Sequence, residues 1–195
     1  VYGNNNVGGI AGIRGQSTNT FNIEDCVFHG AINATGNNIG GILGSGYYMY
    51  NAPNAFGAVI TNCTVDGSVS GKQNVGGIFG AEGGIEQAWD NGVGKIVSNV
   101  FSGKVSGKTN VGAIIGYIRA LNNNNVIKNN VYTSNCGIDK GLGKVVHVDT
   151  DAVNFGMRDG VFYYNTEKFN TYTPEEWNQI YEVVDGDWKD TQRYP

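Results

Sequence analysis

Asn74-Val75-Gly76-Gly77-Ile78-Phe79-Gly80 decides the fold, because it does not stand alone. The same pattern runs as Asn6-Val7-Gly8-Gly9-Ile10-Ala11-Gly12 and as Asn38-Ile39-Gly40-Gly41-Ile42-Leu43-Gly44. A fourth copy is Asn110-Val111-Gly112-Ala113-Ile114-Ile115-Gly116. The copies are spaced by 32, 36 and 36 residues. A second motif keeps phase with the first: Ile23-Glu24-Asp25-Cys26-Val27-Phe28-His29-Gly30, Ile60-Thr61-Asn62-Cys63-Thr64-Val65-Asp66-Gly67 and Ile96-Val97-Ser98-Asn99-Val100-Phe101-Ser102-Gly103. Its fourth copy, Ile127-Lys128-Asn129-Asn130-Val131-Tyr132-Thr133-Ser134, is degraded. Two motifs in register over four copies identify a repeat architecture, in which each unit buries its apolar face only against its neighbours.

The second motif has a period of two: Cys63, Val65, Gly67 and Val69 alternate with polar or smaller residues, and so do Asn99, Phe101, Gly103 and Val105. That is a half-buried strand. Because the phase is the same in every copy, like positions should stack about 4.8 Å apart in a parallel ladder. Gly and Asn suit the corners, since both tolerate the left-handed backbone region. The expected fold is all-β: a right-handed parallel β-helix or β-solenoid of about four coils over residues 1–145, each coil with at least two strands. An array of antiparallel hairpins is the structural alternative. The Val75 to Gly80 segment reads as a strand with Val75, Gly77 and Phe79 on one face and Gly76, Ile78 and Gly80 on the other. Neither face is polar, so it should be covered on both sides. The stripe Ile10, Ile42, Ile78, Ile114 would then lie under the variable segments; the rival reading makes it a docking surface.

Of the 195 residues, 31 are Gly and 26 Asn, and 40% are apolar, which argues against disorder. The net charge of −4 supplies no phosphate-neutralising patch, so nucleic acid is not an expected partner. No apolar run reaches the roughly 18 residues of a membrane span. Three cysteines form no disulfide framework, and no Cys/His cluster has zinc spacing, so neither metal nor cofactor is expected. Val1-Tyr2-Gly3-Asn4-Asn5-Asn6 aligns with Val69 to Asn74, so the chain begins within a coil. An open N-terminal edge of that kind is expected to permit self-association.

Residues 146–195 lack the repeat and are rich in aromatics, including Phe162, Tyr163, Tyr164, Trp177 and Trp188. Thr173-Pro174-Glu175-Glu176 combines an N-cap, a first-turn proline and a capping-box glutamate. One short helix is expected over residues 174–182, with Val161 to Tyr164 as a strand and Asp185-Gly186 as a turn. This piece is expected to be a small mixed cap on the last coil; the alternative is a platform of exposed aromatics that stacks on sugars.

The Gly-Ile-Leu-Gly at 41–44 and Gly-Ile-Phe-Gly at 77–80 resemble the GLUG repeat, named for its Gly-Leu-apolar-Gly core; Gly9 to Gly12 and Ala113 to Gly116 are weaker variants. The resemblance covers roughly residues 1–120. It implies a secreted or surface-attached bacterial protein, often adhesin-like, and its motif carries no catalytic residues to transfer.

His29, Asp66 and Ser102 share one outward position, but their order places Asp in the middle, and His29 and Ser102 would lie about 9.6 Å apart. A triad needs histidine between the other two, so a solvated polar ladder is expected. The Glu24 column continues as Thr61, Val97 and Lys128, so no pair of carboxylates suited to glycoside hydrolysis builds up. Cys26 and Cys63 share an inward column with Asn99 and Asn130, read as buried free thiols below an internal amide stack. The leading functional expectation is a non-catalytic module, an adhesion surface or stalk, whose partner is a host or bacterial surface glycan or protein. A carbohydrate-binding or polysaccharide-active β-helix is the alternative. The variable segments, residues 45–57, 81–94 and 117–125, are the candidate binding loops, with Tyr47, Tyr48, Tyr50 and Trp89 as ligand contacts.

Overall fold

In a computed structural model of the chain, the described residues are 1–14, 21–46, 56–82, 93–121, 126–128, 130–133, 136–138, 140–148, 157–158, 161–162, 183–184 and 187–188. They are all-β. Parallel strands from successive repeats stack into sheets, consistent with a β-helix or β-solenoid.

Each repeat contributes strands to five ladders. Ladder one holds Tyr2–Gly3, Ala31–Ala34, Ser68–Ser70 and Lys104–Ser106. Ladder two holds Val7–Gly8, Asn37–Gly40, Gln73–Gly76 and Thr109–Gly112. Ladder three holds Ala11–Arg14, Leu43–Gly46, Phe79–Glu82, Ile115–Leu121 and Leu142–Val148. Ladder four holds Phe21–Glu24, Phe56–Thr61, Val93–Val97 and Val126–Lys128. Ladder five holds Val27–Phe28, Thr64–Val65, Val100–Phe101 and Val131–Tyr132.

The register follows the motif alignment. Ile60 pairs with Ile23 and Ile96, Val65 with Phe28 and Phe101, and Val75 with Ile39 and Val111. Pairing between repeats is parallel throughout, against the hairpin-array alternative. The antiparallel pairs among the described residues all involve strands beyond Val148. The last parallel strand, Leu142–Val148, runs past Val145. Val161–Phe162 then pairs antiparallel with Ile127 and Lys128 at the end of ladder four, and also with Met157–Arg158. Val183–Val184 pairs antiparallel with Asp187–Trp188, enclosing the Asp185-Gly186 pair. The helix expected over 174–182, the Asp185-Gly186 turn itself, Tyr163, Tyr164 and Trp177 lie outside the described residues.

The Val75 to Gly80 segment is not one strand but two. Gln73–Gly76 belongs to ladder two and Phe79–Glu82 to ladder three, with Gly77 and Ile78 at the bend. The two strands face each other through their glycines rather than through hydrogen bonds between them. A Cβ on Gly76 would lie 2.0 Å from the Phe79 carbonyl oxygen and 2.7 Å from the Gly116 nitrogen; one on Gly80 would lie 2.5 Å from the Ile39 nitrogen. Backbone thus meets backbone, closer than the about 10 Å usual between stacked sheets. On the bend itself, a Cβ on Gly77 would lie 2.5 Å from the Phe101 ring, so this glycine lets the arch rest on ladder five.

The arch explains the fate of the isoleucine stripe. Ile42, Ile78 and Ile114 are buried and belong to one contiguous core with Leu43, Phe79, Val65 and Phe101. Ile10, at the end of the stack, is 46% exposed. The core is a set of columns, one aliphatic or aromatic side chain per repeat: Ile32, Val69 and Val105 under ladder one, and Ile23, Ile60 and Ile96 under ladder four. Full burial of such a side chain contributes about 1.5–3 kcal/mol, and no single repeat could supply the covering surface.

Candidate functional site

Two corner columns carry a left-handed backbone. The first is Asn6, Asn38, Asn74 and Asn110, with φ of 55°, 63°, 56° and 54°. The second is Asp25, Asn62 and Ser98, with φ of 54°, 53° and 55°. Asn and Asp are the side-chain-bearing residues that adopt this region most readily. In the first column the amides also bond to one another. Asn38 donates from Nδ2 to Asn6 Oδ1 at 2.9 Å, Asn74 to Asn38 at 2.8 Å, and Asn110 to Asn74 at 2.7 Å. This half-buried asparagine ladder runs the length of the four motif copies. The alternation of polar and apolar residues does not reveal it; its signal in the sequence is that every copy of the motif opens with Asn.

The inward column of the second motif contains Cys26, Cys63, Asn99 and Asn130. Asn99 and Asn130 are fully buried. Asn99 Oδ1 accepts from the Cys63 backbone N–H at 2.9 Å, while its Nδ2 donates to the Ile60 carbonyl at 2.8 Å and to Asn130 Oδ1 at 2.9 Å. Asn130 repeats the arrangement one repeat on. Its Oδ1 accepts from Asn99 N–H at 3.1 Å and its Nδ2 donates to the Ile96 carbonyl at 2.6 Å. Each amide therefore satisfies a buried backbone donor at a corner where the ladder hydrogen bonds are interrupted. The thiols do less. Cys63 is buried and Cys26 half-buried, both are free, and their sulfurs point to the carbonyls of Thr61 and Glu24 at 3.3 and 3.2 Å. Burial raises the Cys63 thiol above its ordinary pKa, partly offset by the hydrogen bond from the Cys26 backbone. Cys136 is buried, and its carbonyl accepts from Val105 N–H, which places it in the core beneath ladder one.

The outward column brings His29 and Asp66 together: Nδ1 lies 2.5 Å from Oδ2, with side chains 72% and 43% exposed. Ser102 sits one repeat beyond Asp66 and not beside His29, so the order of groups is wrong for nucleophile activation. Glu24 and Asp25 are exposed, and register places Thr61 and Val97 after Glu24 in its column. Among the described residues no three His, Cys, Asp or Glu side chains cluster as metal ligands.

The candidate contacts Tyr47, Tyr48, Tyr50 and Trp89 lie outside the described residues. What is described is the frame that carries their segments. Residues 15–20, 47–55, 83–92 and 122–125 each connect a ladder-three strand to the next ladder-four strand. Because those strands are stacked in register, the points where ladder three gives way to ladder four lie along one edge of the stack. No helix among the described residues is long and apolar enough to cross a membrane. The chain matches no protein-family model, no curated protein and no solved structure.

Proposed function

We propose that this chain is a non-catalytic repeat module of a secreted or cell-surface bacterial protein, built as a right-handed β-solenoid of about four GLUG-like coils. It acts as an adhesion surface or stalk, and its partner is a surface glycan or protein. The observation that carries the reading is the division of labour along each repeat. Corner, arch and core positions are committed to stacking: the asparagine ladder, the glycine-faced arch, the buried Asn99 and Asn130. Variation in length and composition falls on the one edge between ladders three and four. A rigid scaffold that displays variable segments along a single edge has the design of a binding surface.

The test is a glycan and surface-protein array probed with the purified chain and with a Tyr47→Ala, Tyr48→Ala, Trp89→Ala triple variant. Binding by the parent and loss in the triple variant supports adhesion through the variable edge. Equal binding by both moves the site to the aromatic residues beyond Val148. Binding by neither leaves the stalk reading, and release of oligosaccharides from any arrayed polysaccharide would replace the proposal by an enzyme.

A further inference from the structure

At the corner between ladders four and five, Cys63 of one repeat stacks on Cys26 of the repeat before it. The register fixes this: Thr64 pairs with Val27, and Thr64 N–H donates to the Cys26 carbonyl at 2.9 Å. Backbones stacked in this way lie about 4.8 Å apart. That is inside the span of roughly 4.4–6.8 Å that a disulfide bridges between Cα atoms.

The Cys63 sulfur leans across the gap. It lies 3.3 Å from the Thr61 carbonyl oxygen in its own repeat and 3.6 Å from the Ile23 carbonyl oxygen in the repeat of Cys26. Burial is the main cause of the raised Cys63 pKa, and the Cys26 backbone N–H and the Cys26 thiol also act on it. Asn99 makes the same reach to the Ile60 carbonyl, and Asn130 to the Ile96 carbonyl.

Stacking alone does not call for cysteine in this column. At Asn99 and Asn130 an amide oxygen accepts from the backbone N–H of the residue before it in the column, Cys63 and Asn99 respectively. Sulfur is a weaker acceptor than an amide oxygen, so a thiol serves the Cys26 N–H less well than asparagine would. What two cysteines in adjoining repeats add is the capacity to join covalently. The corner can adjust to that bond. Neither cysteine lies within a strand, each follows a left-handed residue, Asp25 or Asn62, and the Cys63 N–H bonds to a side chain. A disulfide holds its Cβ atoms about 3.5–4.5 Å apart, so the stacked pair closes by only about half an ångström. Among the described residues no third His, Cys, Asp or Glu joins the pair as a metal ligand. Cys136 belongs to another column, beneath ladder one.

We propose that Cys26 and Cys63 form an oxidation site that closes into a disulfide staple between adjoining repeats, by exchange with a low-molecular-weight disulfide. The thiolate of one cysteine attacks a sulfur of the reagent, forming a mixed disulfide and expelling one reagent thiolate. The thiolate of the other cysteine then attacks the protein sulfur of that mixed disulfide and expels the second reagent thiolate. Two protein thiols are oxidised by two electrons, the reagent disulfide is reduced to two thiols, and the protons of the protein thiols end on those two products. The staple adds a covalent link to a contact between neighbours that otherwise rests on packing and hydrogen bonds. The closed loop includes Tyr47, Tyr48 and Tyr50. The inference is independent of the adhesion reading.

The experiment equilibrates the full chain with glutathione disulfide under native conditions and, in parallel, in guanidinium chloride. Remaining thiols are alkylated and bridges are mapped by mass spectrometry of unreduced peptides. The expected native product carries one bridge, Cys26–Cys63, with Cys136 alkylated and no glutathione retained, whereas the denatured chain also yields pairings with Cys136. The bridged chain should melt at least about 5 °C above the reduced chain, because the link restricts the unfolded state. Dithiothreitol should return it to the reduced value. Glutathione held on either cysteine, a native mixture of bridges matching the denatured one, or three free thiols under conditions that bridge the denatured chain each overturn the proposal. So does a bridged chain that melts no higher than the reduced one.

Discussion

Replacing Asn99 by leucine removes an amide from the core while keeping nearly the same volume, and so isolates polar satisfaction from cavity formation. The cost follows from the bonds that are lost. Cys63 N–H has Asn99 Oδ1 as its acceptor and is left buried without one, at about 2 kcal/mol. The Ile60 carbonyl and Asn130 Oδ1 each lose the Nδ2 donor. Asn130 Oδ1 keeps the backbone N–H of residue 99, so these two losses together add only about 1 kcal/mol. The sum is about 3 kcal/mol, which lowers the melting temperature by about 6–12 °C in a chain of this size. Thermal melts of parent and Asn99→Leu measure the total, and native-state hydrogen exchange assigns it. The Cys63 amide should lose protection selectively, while the Val100 amide, bonded to the Cys63 carbonyl, should be affected less. A leucine variant within about 0.5 kcal/mol of the parent, with Cys63 N–H still protected, would refute the argument. The buried amides would then contribute volume only.

At the corner between ladders five and one, a Cβ on Gly67 would fall 1.5 Å from the Gly30 carbonyl oxygen, and one on Gly103 would fall 1.7 Å from the Gly67 oxygen. Both clashes are with backbone, so Gly67→Ala should cost more than about 4 kcal/mol and abolish recovery of folded protein; a cooperative melt near the parent's would contradict the stacking at this corner. Asn74, at φ 56° with an amide bonded on both sides, separates two contributions. Asn74→Gly loses the amide but keeps the backbone, whereas Asn74→Ala adds left-handed strain, so denaturant unfolding should place Ala below Gly by about 1 kcal/mol. Equal stabilities would remove the conformational role. For Cys63 the folded pKa is raised from 9.0 by burial, so the folded state holds its proton longer than the unfolded chain does. Its contribution is complete below pH 9.0 and is lost as pH rises through the folded value. The stability difference between parent and Cys63→Ala should therefore narrow above that pH, and parallel profiles would oppose it. Under native conditions a thiol reagent should reach half-buried Cys26 before Cys63 or Cys136.

Much of the fold could be read from residues alone, and the reason is repetition. When Ile23, Ile60 and Ile96 recur at one phase of one motif, any stacking that buries one buries all three, so register and the parallel sense follow from the spacing. The inward run Cys63, Val65, Val69 was legible in the same way, because a period of two survives without knowledge of its surroundings. The candidate site was not legible in that sense. Tyr47, Tyr48, Tyr50 and Trp89 lie in segments that no repeat constrains, and residues that do not recur carry no register to read. What the sequence did determine there is that length and composition vary at the same point of each repeat. That the points where those segments begin and end lie along a single edge is a consequence of ladders three and four.

Tertiary structure decided what local pattern left ambiguous. Alternation read through Val75 to Gly80 predicts one strand with two apolar faces. The chain instead bends at Gly77 and Ile78, because glycine on both arms lets two ladders meet backbone to backbone and Ile78 enters the core. Likewise, Asn6, Asn38, Asn74 and Asn110 look like solvated corner residues until stacking places each amide within bonding reach of the next. A period in sequence specifies which residues share a column. Whether that column faces core, neighbour or water depends on where the backbone turns, and turning is settled by contacts between repeats that only the assembled stack contains.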